Sequence, residues 1–141
     1  NIWIDYAHTP DALSNALQTL HLHYPESKLR VVFGCGGDRD KSKRQQMGKI
    51  ASELAHSIIL TNDNPRNEQP ENIIKDIMVG VEIDNNIQVI LDRKIAINTA
   101  ITTLNEDEVL LIAGKGHETT QIIGSQVVPF SDMEIALDAL I

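Results

Sequence analysis

The sequence predicts an α/β domain of three layers, with helices on both faces of a mainly parallel sheet of about six strands. Two observations carry that expectation. Short runs rich in Val, Ile and Leu alternate with stretches of helical period along the 141 residues. Near the end the order changes: two short runs flank Gly124-Ser125 and read as a hairpin, which places an antiparallel strand at one edge.

Each element has its own local reason. Ile2–Asp5 reads as a strand. Thr9 is placed to cap a helix, with Pro10 in its first position, Asp11 near its positive end, and Leu13, Ala16, Leu17 and Leu20 on one face. Leu29–Gly34 is the second strand. Ser42 is expected to cap a helix whose inward stripe is Met47, Ile50, Ala51, Leu54 and Ala55. Ser57–Thr61 is the third strand, and Glu71–Val81 a helix with Ile73, Ile74, Ile77 and Met78 inward. Ile87–Leu91 is a strand, followed by a helix over Lys94–Leu104 with Ile97, Ala100, Ile101 and Leu104 inward. Glu108–Ala113 is the most continuous apolar run and is expected at the sheet centre. Gln121–Ile123 and Gln126–Val128 form the hairpin. Ser131 caps a last helix with Met133, Ala136, Leu137 and Leu140 inward.

Bulk properties exclude several function classes. Twelve Lys and Arg against 20 Asp and Glu give a net charge of −8, which is wrong for a general nucleic-acid surface or for docking on anionic lipid. No apolar run approaches the roughly 20 residues of a membrane span. The single cysteine, Cys35, has no partner for an internal disulfide, which fits a cytoplasmic setting; a packing role suits it better than nucleophilic work. Trp3 is expected in the core or at an inter-domain contact, and His21, His23 and His56 at the surface. The chain starts at once as a strand without an initiator Met, and is expected to be one domain, 1–141, of a longer enzyme.

Four polar segments follow strand-like runs, where such sheets present their ligand loops. Asp63-Asn64-Pro65-Arg66 offers opposite charges across a stiffened turn, a match for a zwitterionic amino-acid centre; it is equally an Asp- or Asn-capped turn. Gly34-Cys35-Gly36-Gly37-Asp38-Arg39-Asp40-Lys41 suggests a loop whose N–H groups approach a ligand, with Arg39 either binding an anion or sitting in a solvated charge cluster. It is not a dinucleotide fingerprint, because Arg39 stands where the third glycine would fall. Gly114-Lys115-Gly116-His117-Glu118 is a compact polar loop, or a glycine turn with exposed charges; no Walker A string occurs in the chain. Asp5 and His8 precede a helix N-terminus, a natural anion site or an ordinary helix start.

Taken in this order, the four segments resemble the C-terminal domain of a Mur ligase, from about Ile2 to the last helix, and most resemble the members that add meso-diaminopimelate. The resemblance implies a Rossmann-like fold. It also implies that Arg39, Asp63, Asn64, Pro65, Arg66, Gly114 and Glu118 contact diaminopimelate, while Asp5 and His8 face ATP. Lys115 and His117 receive no assigned role. ATP and Mg²⁺ would be held mainly by a central domain. The whole enzyme would activate the γ-carboxylate of UDP-MurNAc-L-Ala-D-Glu as an acyl phosphate for attack by the diaminopimelate amine. By itself this domain is expected to bind ATP weakly and to be inactive. The rival readings are the C-terminal domain of another Mur or folylpolyglutamate-type ligase, and a non-catalytic α/β ligand-binding domain.

Overall fold

The computed structural model describes residues 1–82 and 86–141. Five parallel strands, β1 (Ile2–Asp5), β2 (Lys28–Phe33), β3 (Ser57–Leu60), β4 (Asn86–Val89) and β5 (Glu108–Ala113), form one sheet in the order β1-β5-β2-β3-β4. Helices α1 (Pro10–His23), α2 (Ser42–Leu54), α3 (Pro70–Met78) and α4 (Arg93–Thr102) connect them. A hairpin, β6 (Thr120–Ile123) and β7 (Gln126–Pro129), and helix α5 (Asp132–Ala139) complete the described chain.

The strands show why both faces must be covered. In β2 and β3, Val31, Phe33, Ile58 and Leu60 enter one core with Leu13, Leu17, Met47 and Ile77 from α1–α3. Their neighbours Val32 and Ile59 enter a second core with Ala96, Ile97 and Ala100 of α4 and Ala136 of α5. The two-residue period of a strand sends alternate side chains to opposite faces, so an unbroken apolar run is what a doubly covered strand requires. All six residues of β5 are buried between β1 and β2, as expected for the central strand. Each large aliphatic side chain buried this way contributes about 1.5–3 kcal/mol.

Helix starts follow local chemistry. Thr9 accepts from the Ala12 N–H at 3.2 Å, with Pro10 next in line. Asp92 and Ser131 cap α4 and α5 in the same way. Ser42 differs from expectation. It is the first residue of α2, and both its N–H and its hydroxyl donate to the Asp40 carboxylate, at 2.9 and 2.7 Å. The better acceptor two residues upstream takes the capping task.

Three further expectations need correction. The hairpin is a separate two-stranded sheet and adds no antiparallel edge strand to the main one, because β6 turns its free edge to the loop after β3, where Arg66 bridges in parallel to Ile123. In α5, Met133, Leu137 and Leu140 are exposed. That helix faces inward through Asp132, Ile135 and Ala136, since its first residue is tied to a buried arginine. Met78, expected inward, is partly exposed; Trp3 is exposed and edge-on to Tyr24, which removes the core from the two places expected for it and leaves the inter-domain contact.

Candidate functional site

The carboxyl ends of β1, β5, β2 and β3 lie side by side, so the four polar segments emerge at one end of the sheet. Two of their loops are joined along the backbone. The Gly37 N–H donates to the Asn64 carbonyl at 2.8 Å, and a Cβ on Gly37 would overlap the Pro65 carbonyl oxygen. At Gly36 a Cβ would lie 2.9 Å from Nη1 of Arg66. Glycine is needed at Gly37, where backbone occupies the space of a side chain, whereas at Gly36 a side chain would displace the Arg66 guanidinium. Nη1 of Arg66 donates to the Gly37 carbonyl at 3.0 Å. Arg66 itself has φ +51°, a left-handed conformation uncommon outside glycine.

Lys115 is fully buried, contrary to an exposed-charge turn. Its ammonium donates to Asn64 Oδ1 at 2.8 Å and lies 3.6 Å from Asp63 and 3.5 Å from Glu118. One lysine therefore gathers the polar side chains of two loops. Asn64 Oδ1 also accepts the Ile122 N–H at 3.0 Å, which fixes the amide orientation and leaves Nδ2 as the group free to donate. Tyr6 donates its hydroxyl to Glu118 at 3.4 Å, packs edge-on to His8 and lies beside His117. The Glu118 charge, with some burial, raises the Tyr6 phenol above its ordinary pKa.

The glycine-rich loop is braced from below. Arg44 is fully buried and forks onto Glu68 at 3.2 and 2.7 Å, while also reaching Asp76 and the Gly36 carbonyl. Glu68 in turn accepts the Asp38 N–H at 2.6 Å. These bonds, Arg44 first, hold the Glu68 carboxyl at about 2 against an ordinary 4.5. A second buried guanidinium, Arg93, takes Asp132 in a two-toothed grip at 2.8 Å on each arm. It also donates at 3.1 Å to the carbonyls of Asn62 and Ala113, the residues just before Asp63 and Gly114. Burial, the largest single influence, would lower the Arg93 pKa; the Asp132 hydrogen bonds together with the charges of Asp132, Asp63 and Glu118 make the net shift upward.

These loops enclose a cavity of about 460 Å³. Arg39, Asp63, Asn64, Arg66, Gly114, Glu118 and His8 line it, together with Tyr6 and Lys43. Asp5 and Pro65 do not. The Asp5 carboxylate accepts the Ala7 N–H and its carbonyl the Gly114 N–H, so Asp5 shapes the turn below the rim. Pro65 packs against Gly37. Arg39 is exposed at the mouth, its guanidinium on the Asp38 carbonyl at 3.0 Å. Sequence reasoning missed Tyr6, Lys43 and the bracing pair Arg44–Glu68. Tyr6 stands inside a segment already singled out, whereas nothing in the pattern of α2 marks Lys43 or Arg44 as inward.

Cys35 is buried 3.7 Å from Met47, and burial pushes its thiol up to about 12, which suits packing. A larger cavity, about 750 Å³, lies between the hairpin, the start of α4 and α5, and none of the residues singled out in the four polar segments lines it. Among the described residues no group of three His, Cys, Asp or Glu is placed to hold a metal ion, and no helix is long and apolar enough to cross a membrane.

The sequence profile of the Mur ligase, glutamate ligase domain matches residues 1–116. The chain belongs to the Mur ligase family. A UDP-N-acetylmuramoyl-L-alanyl-D-glutamate--2,6-diaminopimelate ligase from Coxiella burnetii is 54% identical over 139 residues, covering 99% of this chain and 28% of the relative. The enzyme of the same name from Chlamydia caviae is 50% identical over 140 residues, covering 99% of the chain and 29% of the relative. A solved structure of another protein of that name superposes with a TM-score of 0.93 at 41% identity, over 99% of this chain and 28% of that one. This Mur ligase domain thus spans less than a third of the length of these relatives. The Mur ligase profile ends at Gly116, so the hairpin and α5 lie beyond it, although they pack on the loops it contains.

Proposed function

We propose that this Mur ligase domain selects the incoming amino acid in an ATP-dependent, cytoplasmic ligase that adds meso-diaminopimelate to UDP-MurNAc-L-Ala-D-Glu in peptidoglycan synthesis. The observation that supports it most is the charge arrangement of one cavity: Arg66 and Arg39 with Asp63 and Glu118. Diaminopimelate carries an ammonium and a carboxylate at each end. A guanidinium grips a carboxylate with two parallel hydrogen bonds, and the free Nδ2 of Asn64 adds a third donor. Lysine lacks the second carboxylate and would leave Arg66 without its partner in a closed site, at a cost of about 1–3 kcal/mol.

On this reading, Asp63 and Glu118 hold ammonium groups while Lys115 keeps the two carboxylates from repelling one another. The γ-carboxylate of the D-glutamyl residue, activated by ATP as an acyl phosphate, would be attacked by the amine held here. His8 is at the cavity rim and Asp5 below it, on the side expected to face ATP. The chain contains no Walker A string. Mg²⁺ and most nucleotide contacts are therefore assigned to other parts of the longer protein.

The deciding experiment supplies the complete ligase with ATP, UDP-MurNAc-L-Ala-D-Glu and either meso-diaminopimelate, L-lysine or L-ornithine. Strong preference for diaminopimelate is expected. Equal or better use of lysine overturns the proposal.

A further inference from the structure

The Asp63–Arg66 loop leaves the sheet at β3, yet much of its holding comes from the hairpin. Gln121, which is buried, donates from Nε2 to the Asp63 carbonyl at 2.8 Å. Ile122 gives its N–H to the Asn64 side chain and takes the Arg66 N–H on its carbonyl at 3.1 Å. Gly124 then donates to the Arg66 carbonyl at 2.6 Å. Strand β6 therefore pairs with β7 on one edge and with a single residue of the loop on the other.

That residue is Arg66, whose left-handed backbone is disfavoured for an L side chain. Both of its backbone polar groups are paired to the hairpin, and this pairing holds the unusual conformation. The conformation in turn delivers the guanidinium to the Gly37 carbonyl and the cavity. Released from the hairpin, Arg66 would relax to a negative φ and its side chain would leave. We propose that the β6–β7 hairpin sets amino-acid specificity, with Gln121 as a positioning residue that locks the Asp63 peptide against it. This rests on the reading that the cavity takes diaminopimelate.

Gln121→Met keeps the volume and removes the donor. Gln121→Glu sets a carboxylate against the Asp63 carbonyl. In the complete ligase, both variants should raise the KM for meso-diaminopimelate between about tenfold and about a hundredfold, the range expected when a reacting group is misplaced by about an ångström. The loss for lysine should be smaller, so the diaminopimelate-to-lysine ratio of kcat/KM falls, and the KM for ATP should hold. In the same proteins, hydrogen exchange read by mass spectrometry should quicken in the peptides carrying Arg66 and Gly124 while those of β2 and β5 stay protected. Equal losses for both amino acids, a parallel rise in the ATP KM, or unchanged exchange at Arg66 and Gly124 would overturn the proposal. A wild-type enzyme that prefers lysine would instead sink the functional reading, and the exchange measurement would still decide whether the hairpin holds the loop.

Discussion

The ammonium of Lys115 donates to Oδ1 of Asn64 at 2.8 Å from a fully buried position, with Asp63 and Glu118 within 3.6 Å. A buried cation among two carboxylates and an amide is a keystone for both loops. Lys115→Met should cost about 3 kcal/mol of stability, because it removes the ion-pair partner that Asp63 and Glu118 share. Urea unfolding of the domain measures it. A loss below about 0.5 kcal/mol would mean that solvent, and not Lys115, balances those carboxylates.

Gly36 and Gly37 should separate function from stability. Gly37→Ala drives a Cβ into the Pro65 carbonyl, and neither backbone can easily retreat. A loss of about 2 kcal/mol or more is expected. At Gly36 the obstacle is the end of the flexible Arg66 side chain, so Gly36→Ala should cost less than about 1 kcal/mol yet displace that guanidinium. Thermal melts paired with diaminopimelate kinetics test the contrast. Equal destabilisation by both substitutions would contradict it.

Glu68 should leave a signature in acid. Its folded carboxyl lies at about 2, below the ordinary 4.5, so its contribution is complete above 4.5 and disappears as pH falls toward about 2. Glu68→Gln should destabilise the domain by about 2 kcal/mol at neutral pH, the worth of hydrogen bonds to a charged group. As pH falls from 4.5 toward about 2, first the unfolded and then the folded wild-type carboxyl takes up its proton, and the two unfolding midpoints should converge. A gap independent of pH would assign the Glu68 effect to packing.

Arg66→Ala in the complete ligase should lower kcat/KM for diaminopimelate by about 2–4 kcal/mol, with a much smaller loss for lysine and little change in ATP binding. Proportional loss of both amino acids would place Arg66 at their shared centre or in a purely structural role.

The alternation of apolar and helical segments was enough to read five parallel strands and the helices on both faces, because period and burial coincide there. Val31, Val32 and Phe33 announce a doubly covered strand in the letters themselves. The strand-end segments were legible for the same reason: the sheet dictates where they emerge. What the sequence concealed depends on contacts made at long range. The hairpin pairs with Arg66, some 56 residues upstream, and no local pattern records that. Helix α5 has an apolar stripe at Met133, Leu137 and Leu140, but Asp132 is pinned by Arg93, and that pin turns the stripe outward. Lys115 looked like a loop charge. Asp63 and Asn64, arriving from another strand, join Glu118 in compensating its burial.

The Arg93–Asp132 pair carries a practical consequence for where this polypeptide can be cut. A chain trimmed after Pro129 would lose no residue that touches the cavity. It would nevertheless strand a fully buried guanidinium against two carbonyls, those of Asn62 and Ala113, with no counter-ion. The defect would appear at the roots of both ligand loops. For anyone grafting or shortening this domain, the safe boundary lies beyond Ala139, and Asp132 must travel with Arg93.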